Sequence, residues 1–247
     1  MFATEFAPEA PRASVLEFAP QAHGTAAAAP QPAQSISWRL NGERLIPASW
    51  INTKRATDIT LALSGLVLAA PLLVVAMIGI MICSPGSPIF AQERVGLYGR
   101  RFTMFKLRTM EPNAHAQQEA LRKATQASGP VFKMKRDPRV FALGGMLRKL
   151  SIDELPNFVN VLLGDMSIVG PRPSIPSEME KHDDFALRRV RVKPGITCVW
   201  QISGRSDVSF AEWMRLDHHY IDNWSPLYDL KIILSTIPAV LFSKGAY

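Results

Sequence analysis

Asp153 and Glu154 stand side by side in "SIDELPNFVNVLLGDMSIVGPRP", residues 151–173. Pro156 follows at once, and the stretch closes on a Gly-Pro-Arg-Pro turn that carries Arg172. Proline is tolerated in a helix only in the first turn, where its missing N–H has no partner to lose. Pro156 therefore predicts a helix start, with the acidic pair at its N-cap or first turn. Two readings of the pair follow. Acids at a helix N-terminus cap free N–H groups and offset the helix dipole. Carboxylates ringed by cations also suit a phosphate and a divalent cation, and Arg148 and Lys149 precede the pair while Arg172 follows it. In that second reading one carboxylate attacks phosphorus, as in aspartyl-phosphate chemistry, and the other holds the metal.

Such a site needs an anionic substrate, and the totals agree. The 247 residues carry a net charge of +7, which points to nucleic acid, lipid headgroups or a phosphorylated small molecule. No zinc-finger, homeodomain or RNA-recognition signature is present, so nucleic acid is not an expected partner. The two cysteines, Cys83 and Cys198, have no paired or metal-type spacing and read as reduced thiols. His218 and His219 lie beside Asp217, but no second ligand cluster has fitting spacing.

The apolar residues are unevenly spread. From Ile59 to Cys83 the chain has 25 residues without a charge, roughly 37 Å as a helix and enough to span a bilayer. Pro71 sits at its midpoint, and basic residues flank both ends: Arg39, Arg44, Lys54 and Arg55 before, Arg94, Arg100, Arg101, Lys106 and Arg108 after. Positive flanks belong in the cytoplasm. One spanning helix fits hydropathy alone; a helix–break–helix hairpin that enters and leaves by one face fits both flanks and Pro71.

Around this run the chain divides into residues 1–45, an Ala/Pro-rich disordered tail; residues 46–84, the membrane-inserted broken helix; and residues 85–247, a catalytic domain. The fold class expected is α+β, mostly helical, with short strands and interfacial amphipathic helices. "PIFAQERVG" and "RRFTMFKLRTM" read as strands around a Gly-rich turn. "EPNAHAQQEALRKATQAS" reads as a polar helix or mobile loop, and "RVFALGGMLRKL" as a short basic helix weakened by Gly144 and Gly145. "DELPNFVNVLLG" is a helix closed by Gly164. Ser209 and Glu212 form a capping box that starts a helix with Phe210, Trp213, Met214 and Tyr220 on one face. "PLYDLKIILSTIPAVLF" is an apolar helix interrupted by Pro238, either core or membrane-interfacial, and Asp229 within it reads as structural, paired to a backbone or basic group.

Four segments carry a resemblance: "PIFAQERVGLYGRRFTMFKLRTM", "LRKLSIDELPNFVNVLLGDMSIVGPRP", "RVKPGITCVWQISGR" and "DNWSPLYDLKIILSTIPAV". In order, over most of residues 51–247, they resemble the bacterial polyprenyl-phosphate hexose-1-phosphate transferases, the monotopic phosphoglycosyl transferases. The short length and the ending "TIPAVLFSKGAY" are similar to the small ExoY-like exopolysaccharide type. The resemblance implies that Asp153 attacks the β-phosphorus of a UDP-sugar and releases UMP, and that Glu154 binds Mg²⁺. It implies that Arg148 and Arg172 contact phosphate, that Lys106 and Arg108 of the "KxRT" segment belong to the active site, and that Pro71 breaks a re-entrant membrane helix. Arg205 in "QISGR" is a further candidate for the uridine or phosphate. Two positions depart from the family pattern: Ala70 stands where Ser often precedes the proline, and Cys198 replaces the last Gly of "GITG".

The expected partners are a UDP-sugar, with galactose or glucose leading, undecaprenyl phosphate and inner-membrane phospholipids. A homo-oligomer is left open. The expected place is the bacterial inner membrane with the catalytic domain on its cytoplasmic face. The competing reading is a catalytically silent membrane adaptor of a polysaccharide assembly complex, against which the intact Asp153, Glu154, Arg148 and Arg172 count.

Overall fold

The computed structural model describes residues 39–40, 44–45, 47–112, 114, 117, 134, 137–180, 184–203 and 208–242. Most of the expected tail, most of the "EPNAHAQQEALRKATQAS" segment and Arg205 lie outside the described residues. Two short antiparallel strands, β1 (Arg39–Leu40) and β2 (Arg44–Leu45), fall within 1–45.

The long helix α1 (Ala48–Cys83) follows, and it is long and apolar enough to cross a membrane. It differs from the expected helix–break–helix in one respect: α1 stays helical through Pro71, so the proline bends one helix and no turn separates two. Proline forfeits one backbone hydrogen bond, but the turns on either side retain theirs and bury side chains against the same body. Asp58, Ala62, Ala69, Leu73, Ala76 and Ile80 are buried at helical spacing on both sides of Pro71. Small residues on this stripe permit close approach: Gly65 lies against the Phe158 ring and Gly79 against Leu143. The opposite surface exposes Leu63, Val67, Leu68, Leu72, Val75, Ile78 and Ile82.

Both ends of α1 are tied to the folded domain. Near its start Lys54 pairs with Asp229 at 2.6 Å and donates to the Val169 carbonyl, while Arg55 donates to the Val161 and Leu162 carbonyls. Past its end Arg108, buried, donates to the carbonyls of Ser84, Gly86 and Ser87 and to Ser84 Oγ.

Strands β3 (Ile89–Val95) and β4 (Arg101–Leu107) form the expected hairpin, antiparallel from Ile89 opposite Leu107 to Val95 opposite Arg101. Tyr98 (φ 55°) and Gly99 (φ 78°) make its left-handed turn. Helix α2 (Ala142–Lys149) precedes a 3₁₀ turn, Ile152–Glu154, and then α3 (Asn157–Leu163), which ends on Gly164 at φ 90°. Strand β5 (Ser167–Val169) leads through α4 (Pro176–Met179), α5 (Asp184–Leu187) and a 3₁₀ turn (Arg188–Arg191) to β6 (Gly195–Thr197). β5 and β6 pair in parallel, Ser167 opposite Gly195 and Val169 opposite Thr197. Helices α6 (Val199–Ile202), α7 (Phe210–Asn223) and α8 (Pro226–Phe242) complete the domain. α8 also runs through its proline, Pro238, where an interruption was expected.

One apolar cluster joins Ala62 of α1 to Met104, Val161, Met166, Val169, Tyr220, Ile221 and Ile232. A second joins Ala69, Leu73, Ala76 and Ile80 of α1 to Leu107 and Leu147, with Ile152 and Leu155 packed against it. The 3₁₀ turn that holds the acidic pair is thus pinned on both flanks to the second half of α1. Ser209 accepts a bond from the Glu212 N–H at the start of α7, as its spacing predicts. Asp229 accepts from Lys54, Tyr220 and Trp224, the structural role its position suggests.

Gly144 sits where a Cβ would collide with the Thr109 carbonyl. Gly144→Ala should therefore lower stability by about 1–3 kcal/mol, the usual cost of overpacking, seen as a lower denaturation midpoint of the purified protein.

Candidate active site

The acidic pair lies in its own 3₁₀ turn ahead of α3, one turn earlier than the expected helix start; Pro156 is the N-cap of α3. Ser151 enters the turn at φ 55°. This left-handed step lets the chain leave α2 and reverse within one residue.

The turn is aligned with β4 by Asn160, which is fully buried. Its Oδ1 accepts from the Phe105 N–H at 3.1 Å and its Nδ2 donates to the Thr103 carbonyl at 2.7 Å. This weld fixes the register of α3 against β4 and so sets Lys106 beside Glu154, Nζ to Oε1 2.6 Å. Arg172 projects from the turn after β5 with its guanidinium 5.9 Å from the Trp213 ring. Arg189 lies beneath that turn: it donates to the Arg172 carbonyl and to Ser174 Oγ, stacks 4.9 Å from the Trp213 ring and pairs with buried Asp217 at 2.8 Å.

Arg94, Lys106, Glu154, Asn157, Arg172 and Gln201 line one open cleft of about 360 Å³, with Met104, Met166, Ile196 and Cys198 among its other walls. Asp153 is in the same turn as Glu154 and only 8% exposed. Arg148 donates to Thr109 Oγ1 at 2.8 Å, and its charge acts on Asp153.

Burial, then the charge of Glu154, push the Asp153 carboxyl up to about 6, against the pull of Lys106 and Arg148. Burial also acts on Glu154, but Lys106, through charge and hydrogen bond, and then Arg172 and Arg94 outweigh it and hold Glu154 below the usual glutamate value. Burial first, then Arg172, lower Arg94 to about 10, which still leaves it charged at neutral pH. The neighbouring acids therefore differ: Glu154 is the fixed anion, and Asp153 is a carboxylate destabilised by its surroundings. A group of that kind gains most from an incoming cation or from bonding to an electrophile.

Of the residues singled out in the sequence, Asp153, Glu154, Lys106, Arg148 and Arg172 come together here. Arg108 does not. Its guanidinium is committed to the chain just after α1, because four acceptors there would otherwise lack a donor. Pro71 lies inside α1. The buried histidine His218 packs on Phe185, and among the described residues no group of three or more His, Cys, Asp or Glu side chains is placed to hold a metal ion. Sequence reading missed Arg94, Asn157, Gln201 and the Trp213–Arg189–Asp217 support. Only Arg94 had a signal, a basic residue near the end of a strand beside the Gly-rich turn. Cys198 has extended backbone, φ −153°, so a side chain fits where the family pattern has Gly, and its N–H and thiol both donate to Gln201 Oε1.

The chain matches the family described as "Bacterial sugar transferase" over residues 49–243. It belongs to the bacterial sugar transferase family. The exopolysaccharide production protein ExoY of Sinorhizobium fredii is 41% identical over 199 residues, covering 79% of this chain and 88% of that protein. Two longer relatives are the undecaprenyl-phosphate galactose phosphotransferase of Salmonella typhimurium, 39% identical over 203 residues, and the UDP-glucose:undecaprenyl-phosphate glucose-1-phosphate transferase of Escherichia coli, 39% identical over 212. The matches cover 78% and 81% of this chain but 41% and 43% of those proteins. This sugar transferase thus corresponds to the small form together with its long apolar helix.

The raised Asp153 value means that the folded protein holds that proton more tightly than the unfolded chain. This contribution favours folding below about pH 4 and is lost as pH rises through about 6. Asp153→Asn should then match wild type in stability near pH 4 and exceed it at pH 7.5 by up to about 3 kcal/mol, measured by denaturant unfolding at both pH values.

Proposed function

We propose that this sugar transferase moves a hexose 1-phosphate from a UDP-sugar to undecaprenyl phosphate, as the first membrane step of exopolysaccharide synthesis. The observation that carries the proposal is the buried Asp153 carboxylate, held beside Glu154 while Lys106, Arg148, Arg172 and Arg94 act on the pair. The printed activities of the Salmonella and Escherichia relatives support the substrates, and leave galactose and glucose as the leading sugars.

In this mechanism an Asp153 carboxylate oxygen attacks the β-phosphorus. The bond from that phosphorus to the oxygen bridging the two phosphates breaks, and UMP leaves with the electron pair. The sugar-phosphoryl-aspartate is then attacked by a phosphate oxygen of the lipid, which releases Asp153 and forms the lipid pyrophosphate sugar. Arg172, Arg94 and Lys106 face the cleft and offset the charge that gathers on the phosphates. Lys106, and then Arg148, favour the ionised form of Asp153 and offset part of the larger upward push of burial.

The donor set also fits Mg²⁺. Glu154, with Asp153, supplies hard carboxylate oxygens, and the mutual repulsion that raises Asp153 is what a divalent cation relieves. With no third protein carboxylate grouped there among the described residues, the remaining ligands would be substrate phosphate and water. Bound there, Mg²⁺ supplies charge neutralisation on the transferring phosphate. A silent adaptor fits less well, since it would have no use for a carboxylate kept buried and poorly compensated.

If Asp153 is the nucleophile, labelled UDP-sugar should place label on the wild-type protein and release UMP with no lipid present. Asp153→Asn should do neither and should lose essentially all transfer. Near-normal transfer by Asp153→Asn would instead favour direct attack by the lipid phosphate.

We also propose that α1 enters and leaves the inner membrane by its cytoplasmic face. Its Lys54–Arg55 end and its Ser84 end are both tied to one domain, and from Gly65 to Cys83 every exposed residue is apolar. The exposed face of α8, Leu227, Leu230, Leu234 and Ile237, extends that apolar surface and suits the membrane interface. Single cysteines placed near residues 50 and 92, with Cys83 and Cys198 replaced, should both resist a membrane-impermeant thiol reagent in intact cells. Labelling of one of them from outside would mean a true span.

A further inference from the structure

Asn157 is 2% exposed, it lines the catalytic cleft, and its Oδ1 has no hydrogen-bond partner. Buried amides are nearly always paired, because an unpaired one loses its water without replacement. The contrast with Asn160, one turn further along α3, is direct: both ends of that amide are bonded to β4. A second unpaired atom belongs to another residue that lines this cleft. Arg94 donates from both terminal nitrogens, to Pro173 and Gln92, but its Nε is buried without an acceptor.

The cleft therefore holds one unmet cationic donor and one unmet neutral acceptor. A fully ionised phosphoester or pyrophosphate group satisfies the first and not the second, since it has no N–H or O–H to give. A ligand that satisfies both must carry a phosphate and, within the reach of one small cleft, a donor group. Resting on the sugar-nucleotide reading above, we infer that the Asn157 carboxamide oxygen accepts a hydrogen bond from a donor group of the UDP-sugar. Three kinds of group on that substrate have the needed chemistry: the imide N–H of uracil, a hydroxyl of the ribose and a hydroxyl of the hexose. Met104, Met166 and Ile196 give part of the cleft an apolar wall suited to a flat base, while the closeness of Asn157 to the acidic turn suits the sugar. In each case Asn157 is a substrate-reading residue, kept unpaired in the free protein at a cost in stability. It makes a ligand without that donor a poor one, because the buried oxygen would stay unpaired in the complex.

The test compares equilibrium binding of UDP, N3-methyl-UDP and UDP-hexose by the full-length protein in lipid nanodiscs, wild type against Asn157→Leu. Asn157→Leu should weaken UDP-hexose binding about tenfold or more, while its melting temperature without ligand stays level or rises. A loss that extends to UDP, and that N3-methylation reproduces on wild type, assigns the uracil imide; a loss that extends to UDP and that N3-methylation does not reproduce assigns a ribose hydroxyl. A loss confined to UDP-hexose, and reproduced on wild type by one monodeoxy UDP-hexose, assigns a sugar hydroxyl. Unchanged affinity of Asn157→Leu for both UDP and UDP-hexose overturns the inference, as does a drop in melting temperature with unchanged ligand discrimination. If Asn157→Leu does not fold, the analogue series on wild type decides: equal binding of every analogue overturns it. Wild type that binds no UDP-sugar would remove the functional reading itself, whereas wild type that releases UMP beside an Asn157→Leu protein of equal affinity removes this inference alone.

Discussion

Two carboxylates on adjacent residues repel, and burial strengthens that repulsion because little water remains to screen it. Much of this protein is arranged around that constraint. Lys106 is brought from β4, Arg148 from the end of α2, Arg172 from the turn after β5 and Arg94 from β3, and each acts on one acid or both. The compensation is uneven. Glu154 has a cation in contact at 2.6 Å, while Asp153 has cations only at longer range and stays raised to about 6. A symmetric arrangement would leave two equivalent anions; this one leaves Glu154 settled and Asp153 poorly compensated.

The scaffold that holds these cations is itself polar at key joints. Asn160 joins α3 to β4, Asp58 accepts from Ser167 and the Ile168 N–H to join α1 to β5, and Arg189 joins the Arg172 turn to Asp217 and Trp213. Apolar packing alone tolerates slippage, whereas a buried amide or ion pair has one register in which its partners are met. Placing such groups around the cleft fixes side chains from five chain segments relative to one another.

The long apolar helix belongs to the site as much as to the membrane. Its small-residue stripe packs against Leu147, Ile152 and Leu155, which flank the acidic turn, while its other face is apolar and exposed. A lipid phosphate stays at headgroup depth, so under the mechanism proposed above Asp153, on the flank of α1, would meet it without leaving the interface. Arg108 makes sense in this light: it secures the point where the chain leaves α1 for the catalytic hairpin.

The order of the elements was readable from local chemistry. Pro156 and Gly164 bracket α3, the Gly-rich turn at Gly96–Gly99 between two strand-like runs gives the β3–β4 hairpin, and Ser209 with Glu212 starts α7, because each signal acts over a few bonds. The acidic pair and its nearest basic residues were readable for the same reason. What the sequence could not decide was which cations face the acids. Lys106, in β4, and Arg108, just past its end, are two apart and look equivalent in the sequence, yet Lys106 meets Glu154 while Arg108 binds the chain after α1, a choice made by the pairing of β4 with α3 through Asn160. Nor could it show that α1 and α8 run through their prolines, since the cost of one lost hydrogen bond is set against burial known only once the partners are in place. The unpaired oxygen of Asn157 is the extreme case: a missing partner is a property of the surroundings, and only the tertiary structure has surroundings to inspect.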